Sequence, residues 1–255
     1  MKSLETEKRK ILQLRNVCKR FGGVTAADDI SLELYGGEIF GLIGPNGSGK
    51  TTLLNLITGI YSSDSGEIIL DGRNITKLPT YKRACLGIAR TFQHPRLLGR
   101  CDIRKNIQLG SDLSAKRKLP LGKEYQARLA RLLKAAGLDA VDLNDSIEKL
   151  SYGQQKMLEI VRSILTSPRV LLLDEPAAGL NHAEMEYIVA LMGIAVEEGV
   201  AVLLIEHAMD LVMSVCDRLT VLNFGHQITT GTPGEVQNNE DVISAYLGGG
   251  SNAEN

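Results

Sequence analysis

Three features are scarce in this sequence of 255 residues: aromatic side chains, net charge and long uncharged apolar runs. The 29 lysines and arginines nearly balance the 30 aspartates and glutamates, for a formal charge of −1. Bulk charge therefore does not gather nucleic acid or anionic lipid, and we expect no nucleic-acid partner. No uncharged apolar run approaches the ~18 residues of a membrane-spanning helix. The start, MKSLETEKRK, lacks a signal core, which predicts a soluble chain that stays where it is made.

Paired cysteines are also missing, whereas glycine is plentiful. The four cysteines form no C-x-x-C motif and lie far apart, at Cys18, Cys85, Cys101 and Cys216. This spacing is typical of reduced thiols and argues against a disulfide framework or a cysteine-bound metal. The 26 glycines exceed the usual share of ~7%. They indicate backbone that is pressed closely against another group.

Hydrophobic periodicity predicts an α/β core that is interrupted by helices. Short strands and one helix fill the first third, a helical insert spans about residues 95–167, and strands and helices alternate from Val170 onward. The predicted strands are 11–17, 30–35, 38–44, 67–70, 170–173, 200–205 and 218–223. The predicted helices are 50–59, 124–136, 153–166, 184–198 and 208–215.

A glycine-rich segment follows the third predicted strand and opens the first predicted helix. It fits G-x-x-x-x-G-K-[ST] and consists of Gly44, Pro45, Asn46, Gly47, Ser48, Gly49, Lys50, Thr51 and Thr52. Glycine tolerates positive φ, so backbone N–H groups can converge there on an anion at the positive end of the helix. Lys50 would then reach the β- and γ-phosphates of a nucleotide, Thr51 would bind Mg²⁺ and Thr52 would lie near the α-phosphate. The alternative is a tight turn that binds nothing.

Two adjacent acids end the apolar run at 170–173. Asp174 and Glu175 stand at the carboxyl edge of a predicted central strand, where open α/β sheets bind ligands. Neighbouring side chains on a strand point to opposite sides, so the two acids are expected to have different roles. We expect Asp174 to hold Mg²⁺ through water and Glu175 to orient the attacking water. The alternative is a polar turn, Asp-Glu-Pro, with no chemistry.

Four further segments resemble the motifs of ABC ATPases. Leu150–Gln155 (LSYGQQ) resembles the LSGGQ signature, 91–93 the Q-loop, 177–181 (AAGLN) the D-loop and 205–207 the switch histidine. Their order and spacing match over roughly residues 11–247. Within the family, the run DEPAAGLN, the tyrosine in the signature and the ending GTP…VISAYLG are most similar to LivG-type ATP-binding subunits of branched-chain amino acid importers.

This resemblance implies the fold and its division. The expected fold is α/β, a phosphate-loop (RecA-like) ABC ATPase core with an antiparallel β subdomain and an inserted α-helical subdomain. A single domain would span 11–247, with 11–94 and 168–247 as the nucleotide-binding core and β subdomain. Residues 95–167 would form the helical subdomain with the signature, and 1–10 and 248–255 would be flexible ends.

The resemblance also implies a site shared by two chains. In one chain, Gln93 would touch Mg²⁺ or the water and His207 the γ-phosphate, beside Lys50 and Glu175 as catalytic residues. In the opposite chain, the signature would close over that nucleotide with Ser151, Gly153 and Gln154. A lone subunit should therefore hydrolyse ATP slowly.

Some of these residues could instead have a purely structural role. Ser151 and Gln154 fit a capping box at the start of a helix. Gln93 could be an ordinary strand-end amide, and His207 a polar residue at a helix start. Phe21 matches the position where the family stacks an aromatic ring on adenine, but a core phenylalanine is the alternative.

Four positions depart from the general family pattern. Tyr152 replaces a glycine of the signature, Asn181 the D-loop aspartate, His182 a proline, and Ala208 an aspartate that tends to follow the switch histidine. The segment between Gln93 and the signature also looks shorter than in importer subunits. Because that segment would meet the permease, the cargo is assigned less directly than the ATPase.

The function implied is an ATP-hydrolysing subunit with ATP and Mg²⁺ that energises an importer of branched-chain or related amino acids. Its expected partners are a second ATPase subunit (identical or paralogous), integral membrane permeases and, indirectly, a periplasmic or extracellular binding protein. It would lie peripherally on the cytoplasmic face of the bacterial inner membrane. Alternatives are an ABC ATPase for another cargo, a non-transport ABC protein acting on DNA or ribosomes, and a phosphate-loop kinase. Against the non-transport class, the sequence has one cassette and no heptad run.

Overall fold

The computed structural model describes residues 9–116 and 122–247. Of the flexible ends predicted at 1–10 and 248–255, residues 1–8 and 248–255 lie outside the described part, and Lys10 begins the first strand. In this part of the chain the strands are β1 (Lys10–Phe21), β2 (Val24–Tyr35), β3 (Glu38–Ile43), β4 (Ser65–Leu70), β5 (Arg73–Asn74), β6 (Ile88–Arg90), β7 (Val170–Asp174), β8 (Ala201–Ile205), β9 (Arg218–Asn223) and β10 (His226–Gly231). The helices are α1 (Lys50–Thr58), α2 (Thr80–Leu86), α3 (Ile103–Lys116), α4 (Lys123–Ala135), α5 (Tyr152–Leu165), α6 (His182–Glu197), α7 (Met209–Val215), α8 (Pro233–Gln237) and α9 (Glu240–Leu247), with a short 3₁₀ helix at Ile147–Lys149.

An antiparallel sheet covers one side of α1. Its strand order is β2-β1-β4-β5, and Leu14 of β1 pairs with Leu32 of β2 and with Ile68 of β4. These buried side chains share one apolar cluster with Leu53 and Ile57 of α1. Burial of the apolar face, at about 25 cal/mol per Å² of apolar surface, is what fastens this sheet to the helix.

The main sheet has the order β10-β9-β3-β8-β7-β6 and is parallel except for the pairing of β10 with β9. Leu171 and Leu173 of β7 face the cluster that contains α5 and α6. Val170 and Leu172 face the opposite cluster, which contains α1. Because β3, β7 and β8 are buried on both faces, their sequences are continuous apolar runs rather than alternating ones.

Helices α3, α4 and α5 share a face of buried side chains that includes Ile107, Leu132 and Leu158. Helix α5 begins with the predicted capping box: the Ser151 hydroxyl accepts from the Gln154 N–H at 3.2 Å, and the Gln154 side chain accepts from the Ser151 N–H at 2.9 Å. Across residues 9–116 and 122–247, no helix has both the length and the apolar character needed to span a membrane.

Every predicted strand and helix has a counterpart, and β9 has the predicted bounds. Within the described residues, seven elements have no counterpart among the predicted strands and helices, namely β5, β6, β10, α2, α3, α8 and α9, although α3 lies within the predicted helical insert. Strand β6 has only three residues, too few for an alternation to be visible. It forms because its neighbour β7 offers an edge, with Ala89 paired to Leu171.

Candidate functional site

The order of strands in the main sheet brings distant motifs to one edge. Strands β3, β8, β7 and β6 are consecutive parallel neighbours, so their carboxyl ends lie side by side. The glycine-rich loop follows β3, and His207 follows β8. Asp174 ends β7 with Glu175 directly after it, and Gln93 lies three residues beyond β6. The sheet thus brings together motifs that lie far apart in the sequence.

The glycine-rich loop leads into a helix start that suits an anion. Gly47 and Gly49 have φ of 78° and 107°, the left-handed region that favours glycine. A Cβ on Gly49 would lie 2.3 Å from the Ala26 carbonyl oxygen, so no larger residue fits there. The first intrahelical bond of α1 joins Leu53 N–H to Gly49 at 2.9 Å. The N–H groups of 50–52 have no acceptor inside the helix and are available to phosphate oxygens.

Lys50 lies folded back against the loop. Its Nζ donates to the carbonyls of Gly44 at 2.7 Å and Pro45 at 2.9 Å. Burial lowers the pKa of Lys50, while the charges of Glu175 and Asp174 raise it. The ammonium is therefore held within the field of both acids, and an anionic ligand at the loop would favour its charged form.

Glu175 contacts two other predicted catalytic residues at this edge of the sheet. Its Oε2 accepts from Gln93 Nε2 at 2.9 Å, and its Oε1 lies 3.1 Å from Nε2 of His207. The backbone of Glu175 has a φ of +48°, which an L-residue seldom adopts. Three predicted catalytic residues, each just beyond the carboxyl end of β6, β7 or β8, are thus in contact through the Glu175 carboxylate, an arrangement suited to orienting a water.

Asp174 has different partners, as the alternation along a strand predicts. Its Oδ2 accepts from the Arg90 guanidinium at 2.8 Å, and the other terminal nitrogen of Arg90 donates to Oδ1 of Asn55 at 2.6 Å. Both ionic side chains are almost fully buried, at 7% and 11% exposed. Arg90 thereby ties the end of β7 to α1.

The predicted metal ligands fit Mg²⁺ by donor chemistry. Thr51, Gln93 and Asp174 bring hydroxyl, amide and carboxylate oxygens, which are the hard donors that Mg²⁺ prefers. Among the described residues no group of three or more His, Cys, Asp and Glu side chains could hold a metal. In nucleotide sites, Mg²⁺ is bound by one or two carboxylates together with substrate phosphates.

Phe21, Ser151 and Gly153 lie outside this set of contacts. Phe21 is 42% exposed and meets Tyr61 edge-on, with ring centroids 5.1 Å apart. The Ser151 hydroxyl caps its own helix. A Cβ on Gly153 would lie 2.1 Å from a carboxylate oxygen of Glu184, so a larger residue at this position would displace the Glu184 side chain.

Two of the four departures from the family pattern, Asn181 and Tyr152, have hydrogen-bond partners near the site. Asn181 caps α6 in a capping box with Glu184, both hydrogen bonds being 3.0 Å long. The Tyr152 hydroxyl donates to the Gln93 carbonyl at 3.1 Å. His182 is exposed, and Ala208 immediately precedes α7 without making a side-chain cap.

Sequence reasoning missed several residues that shape the site, namely Asn55, Tyr61, Arg90, Lys156 and Glu206. Their partners are remote in sequence: Arg90 meets Asp174, which is 84 positions away. The only available signal was position, since Arg90 lies just before the Q-loop and Glu206 just before His207.

Comparisons with known proteins identify the family that this chain resembles. The "ABC transporter" family model matches residues 27–178, and a "branched-chain amino acid ATP-binding cassette transporter" model matches 226–251. The chain is 41% identical over 252 residues to the high-affinity branched-chain amino acid transport ATP-binding protein BraF of Pseudomonas aeruginosa, covering 94% of this chain and 98% of that one.

Solved structures show the same fold. The ADP conformation of MJ1267, an ATP-binding cassette of an ABC transporter, has a TM-score of 0.80 and 30% identity, covering 94% of this chain and 99% of that one. The dimeric post-hydrolysis structure of the cassette MJ0796 with ADP and Pi has a TM-score of 0.75 and 25% identity, covering 88% and 99%. The chain therefore belongs to the family of ABC transporter ATP-binding proteins and is an ATPase of that family.

Proposed function

We propose that this protein is the ATP-hydrolysing subunit of an importer of branched-chain or related amino acids. The observation that carries the cargo class is the match of residues 226–251 to a model specific to branched-chain amino acid cassettes. That segment, which includes β10 and α8, lies beyond the part matched by the general family model. The identity of 41% to BraF along nearly the whole chain supports the same cargo.

Hydrolysis is proposed to centre on Glu175. Its carboxylate orients a water for attack on the γ-phosphate, held in place by its contacts with Gln93 and His207. Lys50 and the N–H groups at the start of α1 bind the phosphates, with Gly44, Pro45, Asn46, Gly47, Ser48 and Gly49 shaping the loop and Thr52 near the α-phosphate. His207 donates to the γ-phosphate.

Thr51, Gln93 and Asp174 would hold Mg²⁺. When bound, the ion neutralises charge that develops on the β- and γ-phosphate oxygens. The Asp174 carboxylate is already oriented by Arg90, so its ligand geometry does not depend on a mobile side chain.

The rest of the nucleotide site is proposed to involve adenine and a second chain. Phe21 stacks on adenine, since its ring is partly exposed and is braced by Tyr61. Ser151, Gly153 and Gln154 bind the γ-phosphate of the opposite subunit at the positive end of α5, where the capping box leaves the N–H groups of residues 152 and 153 without an acceptor in the helix.

We propose a dimer with an identical or paralogous ATPase subunit, bound to integral membrane permeases at the cytoplasmic face of a bacterial plasma membrane. A periplasmic or extracellular binding protein would deliver the amino acid to the permeases. Closure and opening of the two cassettes would then drive alternating access. The dimeric state of the related cassette MJ0796 supports this assembly.

Uptake in cells that carry a deletion of the gene tests the cargo. We expect loss of labelled leucine, isoleucine and valine uptake, with uptake of a sugar unchanged as the control. The wild-type gene should restore uptake and the Glu175→Gln variant should not, because an amide is a poorer partner for the water.

Retained leucine uptake with loss of another solute would contradict the cargo and leave the ATPase intact. Wild-type uptake by Glu175→Gln would instead contradict the role of Glu175. Purified Glu175→Gln is expected to bind ATP, form a trapped dimer in gel filtration, and release little phosphate.

A further inference from the structure

The turn that follows β7 has an unusual backbone. Glu175 stands at a φ of +48°, while its N–H still donates to the Ile205 carbonyl of β8 at 3.0 Å. A left-handed glutamate is strained, so the surrounding structure has to hold it in place. The turn 175–178 therefore needs partners for its remaining backbone groups.

A buried lysine supplies donors to one side of this turn. Lys156 of α5 is 2% exposed, and its Nζ donates to the carbonyls of Glu175 at 3.1 Å, Pro176 at 3.0 Å and Ala178 at 2.8 Å. An ammonium has three N–H donors, and three carbonyls of one short turn accept them. Burial lowers the pKa of Lys156, and the nearby charges of Glu206 and Glu159 raise it.

A buried glutamate supplies acceptors to the other side. Glu206 is 4% exposed; its Oε1 accepts from the Ala177 N–H at 2.6 Å, and its Oε2 from the N–H of His207 at 3.1 Å. One carboxylate thus binds the middle of the turn and the residue that meets Glu175. Its other neighbours of opposite charge include Lys156 itself.

We propose that Lys156 and Glu206 are positioning residues that clamp the turn 175–178, so that the Glu175 carboxylate meets Gln93 and His207. The Lys156 ammonium donates to the carbonyls of the turn, and the Glu206 carboxylate accepts from the N–H of Ala177 in its middle. This inference rests on the water-orienting role proposed for Glu175. In addition, helix α5, which begins within the signature, contacts the backbone of Glu175 directly through Lys156.

The clamp is tested by steady-state ATP hydrolysis of the full chain. In Lys156→Met, kcat should fall at least about tenfold, because a small displacement of a positioned group is enough for such a loss. KM for ATP should stay within about twofold, since the phosphate-binding loop is untouched. Lys156→Arg keeps the charge and the donors and should recover most of kcat.

Glu206→Gln probes the other side of the turn. The amide keeps one acceptor but turns a donor toward the N–H of His207 or Ala177, so kcat should again fall about tenfold with KM unchanged. Lys149→Met is the matched control, because Lys149 is 66% exposed and pairs only with Asp145 among the ion pairs of the described residues. It should behave as wild type.

Wild-type kcat in folded Lys156→Met and Glu206→Gln would overturn the clamp. A fall in kcat accompanied by a rise in KM of similar size, with no recovery in Lys156→Arg, would also overturn it, because that pattern indicates general damage to the protein. If Lys156→Met does not fold, Glu206→Gln alone decides. Glu175→Gln separates the two proposals: an active Glu175→Gln refutes the role of Glu175, whereas an inactive Glu175→Gln beside active clamp variants refutes only the clamp.

Discussion

The hydroxyl of Tyr152 donates a hydrogen bond to the backbone carbonyl of Gln93, 3.1 Å away. The first residue of α5 is thereby joined to the segment that carries a partner of Glu175. Further along the same helix, the Glu159 carboxylate accepts from the Phe92 N–H at 3.4 Å and from the Arg96 N–H at 2.9 Å. The tyrosine that replaces a signature glycine thus has a definite structural partner, and α5 holds the Q-loop at two points.

Removing this hydroxyl should lower turnover modestly. In Tyr152→Phe we expect kcat to fall about twofold to fivefold, the equivalent of one partly exposed hydrogen bond of ~1 kcal/mol. The melting temperature should barely change, because Tyr152 is 42% exposed. Tyr81→Phe, at an exposed tyrosine of α2, is the control. Equal kcat in both variants would contradict a role for the contact.

Arg90→Lys should weaken the response to Mg²⁺. A lysine can reach either Asn55 or Asp174, whereas the guanidinium binds both, so Asp174 loses part of its orientation. We expect the Mg²⁺ concentration for half-maximal ATPase activity to rise about tenfold, as is usual when the partner of a metal ligand is lost. Titration of ATPase activity with Mg²⁺ measures this. Arg73→Lys, at an exposed arginine of β5, should leave the curve unchanged.

Ser151→Arg should abolish hydrolysis without weakening nucleotide binding to the monomer. The bulky side chain would obstruct the start of α5 where the opposite subunit's nucleotide is proposed to bind. Fluorescent ATP titration of dilute protein measures monomer binding, and phosphate release measures hydrolysis.

Ser146→Arg is the matched control for Ser151→Arg. Ser146 caps the neighbouring 3₁₀ helix, so either substitution loses a cap worth ~1 kcal/mol. Only the signature variant should lose activity. A clear loss of monomer binding in Ser151→Arg would show that Ser151 acts within its own chain.

The cysteines should differ sharply in reactivity. Burial raises the pKa of Cys216 to about 12, whereas Cys85 is exposed. At pH 8 roughly one Cys216 thiol in ten thousand would be ionised, so iodoacetamide should label Cys85 long before Cys216. Peptide mass spectrometry measures both, and guanidinium should make them equal. Rapid labelling of Cys216 in the native protein would contradict its packing against Gly41 of β3.

Local signals in the sequence were sufficient for many elements. The glycine-rich loop is recognisable because its pattern lies between an apolar run and a helical repeat. The capping box of α5 was predictable from Ser151 and Gln154, which are three positions apart. Strand β9 has the predicted bounds because its apolar run ends at a turn.

Contacts between remote segments were not predictable in this way. Strand β6 depends on the edge of β7, and Arg90 is one of 29 basic residues until the fold places it against Asp174. Lys156 looks like an ordinary helix surface residue, yet it is buried against a turn about twenty positions away. No periodic pattern distinguishes such a lysine from a solvated one.

The sequence by itself determined the local motifs of this protein: the glycine-rich loop, the acidic pair after an apolar strand and the capping box that starts α5. These follow from short-range rules on backbone conformation, side-chain period and hydrogen bonding. Only the tertiary structure decided that residues 50, 93, 175 and 207 share one edge, because the sheet order β3-β8-β7-β6 differs from the chain order. Burial on both faces of that sheet stabilises this order, and with it the site.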